Sequence, residues 1–327
     1  MEYFIERGYF LGIHRDFLYI GDTSDDTVKR FDATSGRFLG TFVASESGGL
    51  HGPRGIIFNH IGNLLVSNQN VNQPQNGDVL KFNGQTGKFL RELVSSVQIG
   101  APFAPRGIVL SDNNVLYVAD IQSPGDTPQP GELSAYNGTT GEFLGNFNHS
   151  GFNGTFFPRS VVFGPDGLLY VSVFNPFDPL NGWVLQFDPV KREFIKVFVE
   201  SDAVNNLHRP EGLVFGPDGN LYVTSFRADE NDTDKILIFD GQTGLFLDKI
   251  DLDTVGGPRA FAMAILFGPD GKLFVPISGT GPDTGSVRRY NVQTKTFDVF
   301  VPAGQQLGAP WYLTFGLTDP ATLAYNL

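Results

Sequence analysis

The sequence predicts an all-β propeller of four-stranded antiparallel blades, and three observations carry that prediction. A phrase running aromatic, turn, then Phe-Leu or a close variant starts at Phe31 and returns at Phe82, Tyr136, Phe187, Phe239 and Tyr290, at spacings of 51, 54, 51, 52 and 51 residues. A second phrase, Phe-Gly-Pro-Asp-Gly followed by an apolar run, begins at Phe163, Phe215 and Phe267. The composition, with 40 Gly, 21 Pro and 31 Phe among 327 residues, suits short strands punctuated by turns.

Within one repeat the phrases mark an inner apolar strand over 212–215, a second over 221–224, a third over 236–239 and a fourth over 246–250. Pro presets φ and Gly accepts φ > 0 in the Gly-Pro-Asp-Gly link, so the first two strands join by a tight turn. Gly-Gln-Thr-Gly joins the third and fourth in the same way. Six such outer hairpins are present, whereas inner-strand phrases number seven if Arg7–Leu11 and Pro310–Phe315 are both counted. That surplus predicts seven blades in a single domain spanning 1–327, the last built from residues 311–327 with help from 2–6. A six-bladed ring with overlapping ends is the alternative.

A net charge of −12 argues against nucleic acid as a partner, because tracking phosphates requires clustered positive charge. The absence of Cys excludes disulfides, thiolate metal sites and thiol nucleophiles. No run approaches the roughly 20 apolar residues that a membrane span needs, which predicts a soluble protein with no membrane partner. The first residues, Met1 to Arg7, lack the basic and apolar regions of a signal peptide. Sequons stand at Asn137, Asn148, Asn153 and Asn231. No His-Glu-x-x-His, phosphate-binding loop or Gly-x-Ser-x-Gly elbow occurs.

Connections in an antiparallel blade alternate between the two faces of the disc, so the short turns share one face. The other receives the longer connections 67–78, 121–131, 173–183 and 226–234 together with the inter-blade links 43–53 and 200–210. Binding and catalysis usually sit on such loops. Aligning the lead-in to each inner strand gives equivalent residues just after the Pro: Arg54, Arg106, Arg159, Glu211, Met263 in a degenerate copy and Trp311, with Arg7 as a seventh member. Two positions before the Pro stand His51, Phe103, Phe156 and His208.

Propeller geometry gathers these around the mouth of the central channel. There Arg54, Arg106 and Arg159 suit a carboxylate, carbonyl or enolate oxygen, while His51, His208 and Glu211 suit proton transfer. Phe103, Phe156, Met263 and Trp311 offer an apolar wall. At the end of the second strand Asp22, Asn68 and Asp120 carry oxygen ligands and are candidates for a structural Ca or Mg ion, although such groups more often cap loop backbone. Asn68, Asp120 and Asn175 are also placed to contact a substrate. No cofactor is expected.

The segments Arg-Pro-Glu-Gly-Leu-Val-Phe-Gly-Pro-Asp-Gly-Asn-Leu-Tyr-Val-Thr (209–224) and Phe-Pro-Arg-Ser-Val-Val-Phe-Gly-Pro-Asp-Gly-Leu-Leu-Tyr-Val-Ser (157–172) resemble NHL-type repeats. Similar wording runs through SMP-30/gluconolactonase and virginiamycin B lyase-like propellers. The first group implies a divalent metal held by Asn, Asp and Glu at the ring positions, of which only Glu211 matches. The His and Glu pattern of the lyases is not found here.

In length, blade wording and lack of a hydrolytic centre the chain is also similar to fungal propeller hetero-Diels–Alderases, which join a quinone methide to a terpene. That resemblance implies an enzyme of specialised metabolism that orients an oxygenated, largely apolar small molecule for cyclisation or cycloaddition. A metal-dependent lactonase or lyase, and a non-catalytic propeller binding protein or glycan, are the alternatives.

Overall fold

The computed structural model describes residues 16–73, 75–121, 130–281, 283–304 and 306–326. It forms six four-stranded antiparallel sheets. The second blade comprises β4 (Pro53–Phe58), β5 (Leu64–Asn68), β6 (Asp78–Phe82) and β7 (Phe89–Val94). The third has β8 (Pro105–Leu110), β9 (Val115–Asp120), β10 (Glu132–Asn137) and β11 (Phe143–Asn146). The fourth has β12 (Pro158–Phe163), β13 (Leu169–Asn175), β14 (Asp178–Asp188) and β15 (Glu193–Glu200). The fifth has β16 (Leu213–Phe215), β17 (Leu221–Ser225), β18 (Lys235–Phe239) and β19 (Phe246–Asp251), and the sixth β20 (Leu266–Phe267), β21 (Leu273–Ile277), β22 (Ser286–Asn291) and β23 (Thr296–Val301).

The first blade draws on both ends of the chain: β24 (Pro310–Phe315) is its inner strand, followed outward by β1 (Phe17–Asp22), β2 (Thr27–Asp32) and β3 (Phe38–Val43). The seven-blade expectation is therefore corrected to six. The inner-strand phrase at 310–315 does not start a further blade; it supplies the strand that the 31–39 hairpin lacks, pairing Leu18 with Phe315 and Ile20 with Leu313. Arg7 and residues 2–6 lie outside the described residues. The connection expected over 173–183 is also different. Its residues extend β13 and β14 into one long hairpin, with Phe174 opposite Gly182 and Asn175 opposite Asp178, closed by the Phe177 amide donating to Asn175 Oδ1.

Side chains alternate between successive blades, so each sheet buries both faces against its neighbours and reads as near-continuous apolar strands: Leu64–Val66, Leu116–Ala119 and Leu221–Val223 are all buried. Aromatics from adjacent blades close the gaps edge to face, as Tyr19 does with Phe58 at 4.8 Å and Tyr170 with Phe215 at 4.9 Å. The inner strands approach so closely that only small residues fit behind the ring positions. A Cβ on Gly55 would meet Arg106 O at 2.6 Å, one on Gly107 would meet Ser160 Cα at 2.7 Å, and one on Gly212 would meet Ala264 Cα at 2.6 Å.

The channel is closed on the short-turn face by the C-terminal tail. Leu110 N–H donates to Pro320 O and Phe163 N–H to Ala321 O, anchoring the tail beneath the third and fourth blades. Leu323 then packs against five of the six apolar core clusters, a position open only to a side chain on the propeller axis. Among the described residues no helix is long and apolar enough to cross a membrane.

Candidate functional site at the channel mouth

A β-bulge at the start of the inner strand sets the ring. In the second and third blades Pro53 pairs with Asn68 and Ile56 with Val66, and Pro105 with Asp120 and Ile108 with Val118, which leaves one extra residue on each inner strand. The fourth and first blades repeat this at Pro158/Ser160 and Pro310/Tyr312. Bulges re-aim side chains, and here the residue beside each Pro is Arg54, Arg106, Arg159 or Trp311. The fifth and sixth inner strands begin later, at Leu213 and Leu266, so Glu211 and Met263 stand on the irregular lead-ins.

The backbone behind this ring is stitched from blade to blade. Ser67 Oγ donates to Arg106 O at 2.5 Å, Ser172 Oγ to Glu211 O at 2.5 Å, and Ser278 Oγ to Pro310 O at 2.6 Å. The Tyr312 hydroxyl donates to Arg159 O at 3.2 Å, reaching from the first blade to the fourth, which stands opposite it in a ring of six. Tyr312 therefore crosses the axis and floors the ring, closing the channel below it.

Above that floor lie Arg54, Arg106, Arg159 and Glu211, exposed by only 5, 8, 8 and 6%. Arg54 and Arg106 place their guanidiniums 3.9 and 4.8 Å from the Trp311 ring centroid, and Arg159 lies 4.0 Å from that of Phe174. Arg54 also donates to Gln69 Oε1 at 2.7 Å and to Pro53 O at 3.3 Å. Arg159 Nε stands 3.6 Å from Glu211 Oε1. Burial, then repulsion from Arg106, lowers the Arg54 pKa to about 9; burial lowers that of Arg159 to about 10 against the pull of Glu211. Burial raises the Tyr312 phenol, with Glu211 adding to the effect, so it stays a donor.

Beside this ring an open groove of about 450 Å³ runs between the sixth and first blades, lined by Phe261, Met263, Ser278, Gly279, Gly308 and Trp311 among others. Trp311 is shared: it lines the groove and carries two guanidiniums against its ring. Phe261 sits at φ 49°, an uncommon conformation for a bulky residue, with Arg259 4.0 Å from its ring centroid. Phe261 and Tyr312 escaped the sequence reading. The sixth lead-in, Pro258-Arg259-Ala260-Phe261-Ala262-Met263, departs from the pattern that the others share, and a Tyr inside an inner-strand phrase reads as core.

The remaining predicted residues take other partners. His51 is half-buried with Nδ1 3.7 Å from Asp26 Oδ2, and its amide donates to Asn68 Oδ1. His208 is buried with Nδ1 3.9 Å from Asp232 Oδ2, and burial followed by Lys235 lowers its pKa. Phe103 is exposed, whereas Phe156 is in the core, its ring stacked on His149 at 4.4 Å between centroids.

Asp22, Asn68 and Asp120 each hold the lead-in to the inner strand of their own blade. Asp22 accepts from the Gly308 and Ala309 amides, both at 2.9 Å, and Asp120 from those of Phe103 and Ala104 at 2.7 and 2.6 Å. Asn68 bonds His51 N–H, Gly49 O, Asn70 and Asp78.

The donor set does not fit the divalent metal that the gluconolactonase resemblance implies. Among the described residues no three His, Asp or Glu side chains are grouped to hold an ion. The carboxylate at the ring, Glu211, has the Arg159 guanidinium as its neighbour, and cations there repel another cation.

No family model matches the chain, and no curated protein matches it closely enough to count. Solved structures do. A virginiamycin B lyase from Staphylococcus aureus, in a catalytically inactive form with quinupristin, is 12% identical, with 88% of this chain and 85% of that chain covered and a TM-score of 0.54. A suspected gluconolactonase is 13% identical, with 90% and 92% covered and a TM-score of 0.54. A hypothetical selenium-binding protein from Sulfolobus tokodaii is 10% identical, with 95% and 80% covered and a TM-score of 0.62. At such identities the likeness establishes the β-propeller architecture and nothing finer.

Proposed function

We propose that this chain is a small-molecule enzyme of specialised metabolism, orienting an oxygenated, largely apolar substrate for cyclisation or cycloaddition. The observation that carries the reading is the sharing of Trp311 between an apolar groove and two buried guanidiniums. Hydrocarbon lies against Phe261, Met263 and Trp311, and the substrate oxygen reaches past the indole to the ring of Arg54, Arg106 and Arg159. Such chemistry asks the protein for a near-attack geometry and for donors aimed at an oxygen that gains charge in the transition state. A blind channel floored by Tyr312 supplies rigid donors, and the groove supplies the apolar surface.

The test is turnover of terpenoid-like substrates bearing a conjugated carbonyl, including quinone-methide precursors offered with a cyclic terpene, with products resolved by chiral chromatography and mass spectrometry. One stereoisomer should form faster than in buffer. Arg106→Ala and Arg159→Ala should lower the rate roughly a hundredfold, the size of removing one transition-state donor, with melting temperatures near wild type. A sharp fall in melting temperature with activity per folded molecule intact would make the ring structural and overturn the proposal.

A further inference from the structure

Deepening that reading and resting on it for the apolar part of the ligand, we infer that the pit above Tyr312 takes an anion: the ligand presents an ionised oxygen, carboxylate or enolate, to Arg106 and Arg159. Among the described residues three guanidiniums share this pit with one carboxylate, and all four groups are more than nine-tenths buried. The other carboxylate close enough to act on Arg54 is Asp26, half-buried and beside His51.

Part of their hydrogen-bonding capacity is unspent among the described residues. Arg106 Nε and Nη1 are buried with no protein partner, and so are Arg159 Nε and Glu211 Oε2. Burying a polar group without a partner costs on the order of 1–3 kcal/mol, more when it is charged, so such groups call for an explanation.

A structural ion pair would not look like this. Elsewhere in the same molecule Arg259 grips Asp234 at two points, 2.6 Å and 3.3 Å, which is the fork geometry that stabilises a buried pair. Arg159 and Glu211 stay 3.6 Å apart, and Arg106 has no carboxylate partner at all among the described residues. A neutral carbonyl would leave the excess positive charge uncompensated, and a cation would add to it. An anionic oxygen satisfies both the charge and the open N–H groups, and the groove walled by Phe261, Met263 and Trp311 fits an apolar body behind it.

The experiment uses the full chain carrying Trp183→Phe, which leaves Trp311 as the one indole of the two in the sequence. Its fluorescence is titrated with naphthoate, with the neutral isostere naphthamide, and with inorganic phosphate, and thermal shifts are recorded in parallel. Naphthoate should bind at least about tenfold more tightly than naphthamide, equivalent to the loss of one charged contact. Arg106→Gln should erase that preference, weakening naphthoate binding more than naphthamide binding. Glu211→Gln, which withdraws the competing carboxylate, should tighten naphthoate binding severalfold; because its effect has the opposite sign, it keeps the test decisive should Arg106→Gln fail to fold.

Equal affinity for naphthoate and naphthamide would overturn the inference and leave the groove reading standing. Phosphate binding that depends on Arg106, without naphthoate binding, would uphold the anion site and overturn the apolar substrate. Binding of none of the three would overturn both.

Discussion

Asp22 latches the ring shut, and Asp22→Asn measures that latch. The carboxylate is fully buried and joins the two ends of the chain: Oδ1 and Oδ2 accept from Ala309 and Gly308, while Oδ2 also receives Lys29 Nζ at 2.7 Å and Oδ1 receives Ser24 Oγ at 2.6 Å. Asn preserves the shape and the Oδ1 contacts, but its NH₂ group then faces an amide and an ammonium, donor against donor. Removing one partner of a buried pair costs about 3–5 kcal/mol. Lys29 retains Asp25 at 2.7 Å, so the lower end applies, about 3 kcal/mol, seen as a fall of about 4 °C in melting temperature.

The loss has a pH signature. Burial alone would raise the Asp22 pKa, but Lys29, Ser24 and the amides of Ala309 and Gly308 overcome it and hold the carboxyl below its ordinary value of 3.8. A group depressed in the folded state stabilises fully above its unfolded pKa and ceases to do so as pH falls through the folded one. The gap between wild type and Asp22→Asn in urea denaturation should therefore be constant from pH 5 to 7 and shrink toward pH 2, about the range over which such a carboxylate protonates. Asp25→Asn, at the exposed partner, is the control. A loss below about 1 kcal/mol, well under the range for a buried pair, or an equal loss in the control, would refute the latch.

Gly107→Ala should destabilise by about 2–3 kcal/mol in the same assay, because its Cβ meets Ser160 Cα at 2.7 Å at an inner-strand crossing that cannot open in one blade alone. Tyr312→Phe removes the hydroxyl bond across the axis and should cost roughly 1 kcal/mol; no change would mean that the phenol is not a strut. The Asp78 carboxyl, raised to about 7 by burial despite hydrogen bonds from Asn70 and Asn68, should titrate near neutrality in carboxyl-carbon NMR. Since its folded pKa lies above the unfolded one, it withdraws stability as pH climbs from about 4 to about 7; a titration below pH 5, within ordinary carboxylate range, would refute its burial.

Much of this fold was legible because the signals are local. Pro-Asp-Gly and Gln-Thr-Gly turns fix which strands form hairpins, and five of six repeats announce themselves through contiguous wording such as 209–224. Blade number was not, because the deciding pairing is remote: Asp22 meets Pro310 across nearly the whole chain, and an inner-strand phrase carries no mark of which hairpin it will join.

The ring positions were legible by alignment, since the bulge beside each Pro recurs in register. Residues two places earlier obeyed the same alignment without sharing an environment. Phe156 turns into the core and Phe103 out to solvent, because the lead-ins differ in length and path, and a sequence offset does not specify where an irregular segment points.

The two ends of the channel differ in how the axis is filled. On the short-turn face Leu323 accepts φ 56°, a conformation costly for a bulky residue, and is held there by contacts to five apolar clusters and by its N–H donating to Asp319 O. That strain is tolerated because the side chain fills the axis, where an empty tunnel would expose every inner strand to water. Tyr312 seals the next level.

Among the described residues Tyr312 and Leu323 are both neutral, so neither compensates the arginines above them, and the ligand proposed above would approach from the long-loop mouth. Packing that makes the channel blind thus also makes its upper end electrostatically incomplete. A structural plug and an arginine ring with one loosely held carboxylate are two features of one axial arrangement, and the second is where the proposed ligand would bind.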